Sequence, residues 1–186
     1  MSNPQKYTVG WICAIATEYL AAQLFLDEEH EGPESVSAND NNNYTLDKIR
    51  KHNVVIAVLP YGEHGISSTA GVAKDMLHSF PNIRFGLMVG IGGGAPTSEH
   101  DIRLGDVVVS TFGHRRGVVF QKLEPPTILR AAVHELLTDF KRKGHQLDKN
   151  IEDILVKNPR LRREFQRPEF STDQLYHFSK IHRPDD

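Results

Sequence analysis

The chain has 186 residues, 39% of them hydrophobic, which is enough for one ordinary domain with a packed core. Its 22 Lys and Arg against 24 Asp and Glu give a net charge of -2, which excludes a general electrostatic attraction to nucleic acid or an anionic membrane. Cys13 is the single cysteine, so no internal disulfide forms; with no stretch approaching the ~18 apolar residues of a membrane span and no apolar core of a secretion signal at the start, a soluble protein of the reducing cytoplasm is expected.

Tyr7 to Ile15 (YTVGWICAI) is a short run of β-branched and aromatic residues, the pattern of a buried first strand. Thr17 is placed to cap a helix from Glu18 to about Asp27, with Leu20 and Leu24 on its apolar stripe. Residues 28–43, with Gly32, Pro33 and the run Asn39 to Asn43, read as a flexible loop. Tyr44 to Arg50 and Asn53 to Leu59 read as a hairpin turning at Lys51 and His52, its second strand apolar enough for the sheet centre.

Pro60 to Gly65 is a turn, after which a helix runs from Ser67 or Ser68 to about Ser79 and stops before Pro81. Ile83 to Val89 is the next buried strand, Gly90 to Pro96 a glycine-rich loop, and Asp106 to Thr111 (DVVVST) another strand. This alternation predicts a mainly parallel sheet with helices on both faces. From about Pro126 the chain reads as helical through Lys143 and again over Leu147 to Lys157, with a weak strand near Leu175 to Phe178. We therefore read 1–186 as one domain with a helical region over 126–186; a sheet lacking its second half reads as a fragment.

Several glycines directly after a buried strand let backbone approach a ligand closely, where any Cβ would collide; a tight loop without a ligand is the plainer alternative. GIGGGA formally satisfies the dinucleotide pattern GxGxxA, but that motif must open a helix, and here Ala-Pro-Thr-Ser leads quickly to another strand. Glu18 falls at the carboxyl end of the first strand, where ligands sit in open α/β sheets, so it is a candidate to orient or deprotonate water. Its alternative is a first-turn carboxylate favoured by the helix dipole.

His64 is a second candidate on the loop after a central strand, against the alternative of an exposed turn histidine. The other histidines have no metal-ligand spacing, and one cysteine cannot build a zinc site, so no metal and no other cofactor are expected. Lys157 to Arg167 is a basic cluster with one interleaved phenylalanine; a solvated face explains it better than RNA binding. No serine or cysteine sits in a nucleophile elbow.

Taken together, YTVGWICAIATEYLAA, VLPYGEHGISSTAGVAKDML and FGLMVGIGGGAPTSEHDIRLGDVVVS resemble the nucleoside phosphorylase superfamily, most closely the phosphorylase-type domain of fungal proteins that also carry NACHT, ankyrin or tetratricopeptide modules. The resemblance covers nearly the whole chain, and the glycine loop followed by LGDVVVS is its most specific part. It implies a phosphorylase/hydrolase-like three-layer α/β/α fold with a mixed, mainly parallel sheet. It implies too that Gly92 and Gly93, with Ile91 beside them, contact base and ribose, that His64 faces the ribose, and that Glu18 matches the water-activating glutamate of the methylthioadenosine nucleosidases.

Two departures from the family matter. Its phosphate-binding arginines are replaced by Ile15-Ala16-Thr17-Glu18 and by Met88, which disfavours phosphate and phosphorolysis relative to hydrolysis. The family's ribose-binding Met-Glu pair and purine-protonating aspartate belong to a C-terminal half that this sequence does not show, so weakened turnover is expected. The partner implied is a purine nucleoside, with neither membrane nor nucleic acid, and self-association is expected from the resemblance alone. A non-catalytic nucleoside-sensing module is the alternative function.

Overall fold

The computed structural model describes residues 1–92, 102, 105–109, 126–169 and 171, and the chain divides into two compact units, Met1–Gly92 and Gly93–Asp186. In the first unit the elements are β1 (Val9–Cys13), α1 (Ala16–Leu24), β2 (Glu28–His30), β3 (Tyr44–Ile49), β4 (His52–Val58), α2 (Ile66–Ser79) and β5 (Phe85–Met88). They build a five-stranded sheet in the order β2-β3-β4-β1-β5. β1 runs parallel to β4 and β5, whereas β3 is antiparallel to both β2 and β4. The fold is α/β with a mixed sheet.

The alternation along β1 and β4 decides what each face buries, because successive side chains of a strand point to opposite sides. Ile12, Val55, Ala57 and Leu46 meet Val72, Met76 and Phe80 beneath α2. Val9, Cys13, Val54 and Ile56 meet Ala22 of α1, with Trp11, Tyr19 and Phe85 packed around them. Helices therefore cover both faces. Gly10 lets α2 pack closely here: a Cβ would lie 2.8 Å from the Met76 sulfur and 3.4 Å from Ile83, so the Met76 side chain would have to shift.

Two local expectations need correction. Helix α1 begins at Ala16, one residue before the expected cap Thr17, because its N-cap is Ile15, whose amide is held by the carboxylate of Glu18. The carboxylate three residues along thus holds the amide of the N-cap residue itself, the backward half of a capping box, with no cap hydroxyl in front of it. Residues 28–43 are also anchored: β2 pairs with β3, the Tyr7 hydroxyl meets His30 Nδ1 at 2.8 Å, and Ser2 bridges Pro33. Further along, Asp40 accepts from the hydroxyls of Tyr44, at 2.7 Å, and Ser79. Polar residues give a loop no periodicity, yet they supply the hydrogen bonds that pin it.

The second unit contains α3 (Thr127–Lys143), α4 (Leu147–Lys157) and α5 (Pro159–Phe165). The first two match their expected spans. α3 ends at Gly144, whose φ of +73° suits glycine and whose amide donates to the Phe140 carbonyl. Within the basic cluster lies α5, which opens on Pro159 and pairs Arg162 with Glu152 of α4 at 2.7 Å; Arg167 pairs with Asp148 at 3.2 Å. The strand expected over 106–111 does not form in its described part: residues 106–109 lie outside any ladder, with Val107, Val108 and Val109 exposed. An apolar run becomes a strand only where a neighbour pairs with its backbone. Residues 110 and 111, and the weak strand near 175–178, lie outside the described residues.

Candidate functional site

Because β4, β1 and β5 are parallel neighbours, their carboxyl ends share one edge of the sheet, with Cys13 opposite Val58 and Ile12 opposite Met88. Pairing continues one step past the strands, through Leu59 N–H to the Cys13 carbonyl at 3.0 Å and Val89 N–H to the Ile12 carbonyl at 3.2 Å. Three loops, 14–15, 59–65 and 89–92, therefore leave side by side. The chain leaves β1 toward α1 on one face and β4 toward α2 on the other. Such a divergence between adjacent strands opens the crevice in which α/β sheets hold their ligands.

Glu18, in the first turn of α1, turns its carboxylate back into this crevice and is 9% exposed. Its Oε2 accepts from the amides of Ala14 at 2.7 Å and Ile15 at 3.2 Å, and its Oε1 accepts from the amide of Ile91 at 2.7 Å. One carboxylate thus ties the loop after β1 to the loop after β5. The arrangement depends on Gly90, where a Cβ would fall 2.7 Å from the Glu18 carboxyl carbon and 2.9 Å from Oε2. No side chain larger than hydrogen fits there without displacing the carboxylate.

Of the residues singled out in the sequence, Glu18 and Ile91 are brought together. Ile91 turns its amide inward and leaves its side chain exposed. Among the described residues nothing lies within 4 Å of where a Cβ of Gly92 would stand, so no described contact forces a glycine at this position. Gly93 lies outside the described residues. His64 stands exposed on the loop after β4, between Gly62 and Gly65, both at positive φ; no hydrogen bond joins it to Glu18 among the described residues.

Gly90 and the Ala14 and Ile15 amides are the parts that sequence reasoning missed. GIGGG signals a glycine loop without saying which glycine is spatially required, and backbone amides carry no sequence signal.

Each loop exposes one large apolar side chain at the rim of the crevice, Ile15, Tyr61 and Ile91, with Glu63 and His64 of the second loop also exposed. Neither Lys nor Arg occurs in 14–18, 59–65 or 89–92. Beneath the rim, burial pushes the Cys13 thiol up from its ordinary 9.0 to about 11, with the Glu18 carboxylate adding to the effect, so this sulfur is no thiolate nucleophile at neutral pH.

An acidic groove of about 400 Å³ lies elsewhere, lined by Gln23, Asp27, Glu28, Glu29 and Asp47. Three of its four carboxylates are engaged in structure: Asp47 accepts from the amides of Glu28 and Lys48, Glu28 pairs with Lys48 at 2.8 Å, and Asp27 accepts from the Arg50 amide. Among the described residues no group of three or more His, Cys, Asp or Glu could hold a metal, and no helix is long and apolar enough to cross a membrane.

Sheet and site define an α/β protein with a buried carboxylate at the carboxyl edge of its parallel strands. No protein-family model matches the chain, and no solved structure matches it. It is similar to a nucleotide-binding leucine-rich repeat (NLR)-like protein of Hyaloscypha variabilis, at 44% identity over 168 residues, covering 82% of this chain. The match takes in 16% of that relative, so the chain spans about a sixth of the relative's length. The likeness is to a protein of NLR type.

Proposed function

We propose that this chain is a phosphorylase/hydrolase-like α/β domain of the nucleoside phosphorylase superfamily that cleaves the N-glycosidic bond of a purine nucleoside by hydrolysis. The observation that carries the reading is Glu18, a buried carboxylate at the switch-point crevice, bound to the glycine loop through Ile91. The exposed apolar side chains of Ile15, Tyr61 and Ile91 suit the faces of a planar base, and the space at Gly92, unfilled among the described residues, leaves room for a ligand to approach backbone. With no Lys or Arg in the three loops, a phosphate dianion has no charged partner there, which favours water over phosphate as the attacking group.

In this mechanism the bond between the anomeric carbon and the purine nitrogen breaks through an oxocarbenium-like transition state, water forms the new bond to the anomeric carbon, and Glu18 takes the water's proton. The departing purine must gain a proton from a second acid, distinct from Glu18. The test is free-base release from a panel of purine nucleosides with and without phosphate. Phosphate-independent release that disappears in Glu18→Gln is expected; release that requires phosphate, or an unchanged rate in the variant, would overturn the assignment.

A second reading, a non-catalytic nucleoside-sensing module of a signalling protein, is favoured by the likeness to a far longer NLR-like protein. It predicts saturable adenosine binding with no product.

A further inference from the structure

A carboxylate offers about four acceptor positions, two on each oxygen. In Glu18 both positions on Oε2 are taken, by Ala14 and Ile15, and one on Oε1 is taken by Ile91, so among the described residues a single acceptor position is left. The carboxylate cannot rotate to present another without giving up at least one amide. The loop after β5 has the same dependence in reverse, since the Ile91 amide has Glu18 as its acceptor and Gly90 is the residue whose missing side chain admits the carboxylate.

We infer that Glu18 is the positioning residue of the glycine loop: through the Ile91 amide it fixes the loop's shape against the turn after β1, and the same contact aims its one remaining acceptor position into the crevice. Glu18 and Gly90 are then one device, and substitutions at the two sites must act on each other. The loop-setting half stands on the hydrogen bonds alone; the aiming half rests on the hydrolytic reading above.

The test is a double-mutant cycle in the full chain, read by hydrogen exchange of the Ile91 amide and by urea unfolding. Losing one charge-assisted hydrogen bond, Glu18→Ala is expected to speed Ile91 exchange about tenfold or more. Glu18→Gln is expected to fall between, because its amide oxygen can still accept but its NH2 must face an N–H donor. Gly90→Ala should speed exchange comparably when Glu18 is present, and by less than about threefold when residue 18 is already alanine, since the space is then free. Equal Ile91 exchange in the wild type and both Glu18 variants would overturn the inference, as would a Gly90→Ala effect of the same size in both backgrounds. If Glu18→Ala does not fold, Ile91 exchange in Glu18→Gln still decides: exchange faster than in the wild type supports the inference, and equal exchange overturns it. A chain that passes these tests and releases no base loses the enzyme reading and keeps this one.

Discussion

Replacing Asp40 with alanine should detach the long loop from α2 and cost the first unit a large part of its stability. Asp40 Oδ2 accepts from the Tyr44 hydroxyl at 2.7 Å and from the Ser79 hydroxyl, while Oδ1 accepts from the Asn42 amide at 2.9 Å. Ser79 is 6% exposed and in turn holds the Ser37 amide at 2.9 Å, so one carboxylate organises contacts from 37 to 79. Burial holds the Tyr44 phenol well above its ordinary 10.0, Asp40 adding to this, so the hydroxyl remains a donor throughout the usual pH range.

A hydrogen bond to a charged acceptor is worth about 1.5–3 kcal/mol; counting only the two hydroxyl bonds at the lower figure gives a loss of about 3 kcal/mol. At about 4 °C per kcal/mol for a unit of this size, Tm should drop by about 12 °C. Asp40→Asn keeps a neutral acceptor and should lose roughly half as much. Urea unfolding and hydrogen exchange over 28–43 measure both variants. A loss below about 1 kcal/mol for Asp40→Ala, or unchanged exchange in that loop, would refute the reasoning.

The other expectations follow from burial. Phe80 is fully buried and meets Tyr44 and Tyr7 edge-on, with ring centres 4.9 and 5.7 Å apart, so Phe80→Ala should cost about 3–5 kcal/mol in urea unfolding. A smaller loss would mean that the site collapses around the gap. The Cys13 thiol, raised from 9.0 to about 11, is neutral in the fold at a pH where the unfolded thiol has ionised. Its contribution is therefore fully present below pH 9 and is lost as pH rises toward 11. Stability of the wild type should fall over that window relative to Cys13→Ala, and parallel pH profiles of the two proteins would dismiss the linkage.

Much of the first unit was legible because burial imposes a pattern. YTVGWICAI and NVVIAVL announced β1 and β4, and both became central parallel strands, since only a strand covered on both faces tolerates apolar residues in succession. The helices over 127–143 and 147–157 were equally legible, each forming over its expected span. Elsewhere local pattern misled: Val107 to Val109 carry strand propensity without a described ladder, and the polar 28–43 segment proved tethered by side chains that look like loop residues in any sequence. His64, singled out for its place after a central strand, stands exposed on its loop.

The sequence by itself determined the α/β class, the strands that fill the middle of the sheet, and the placing of Glu18 at a strand's end, because side-chain hydrophobicity and spacing act locally. Only the tertiary structure decided that Glu18 holds Ile91, 73 positions away in the chain, and that Gly90 is the glycine this contact needs. Both consequences arise from parallel pairing of β1 with β5, which sets two distant loops side by side; backbone amides and the space a missing Cβ leaves have no identity in a sequence until the chain has folded around them.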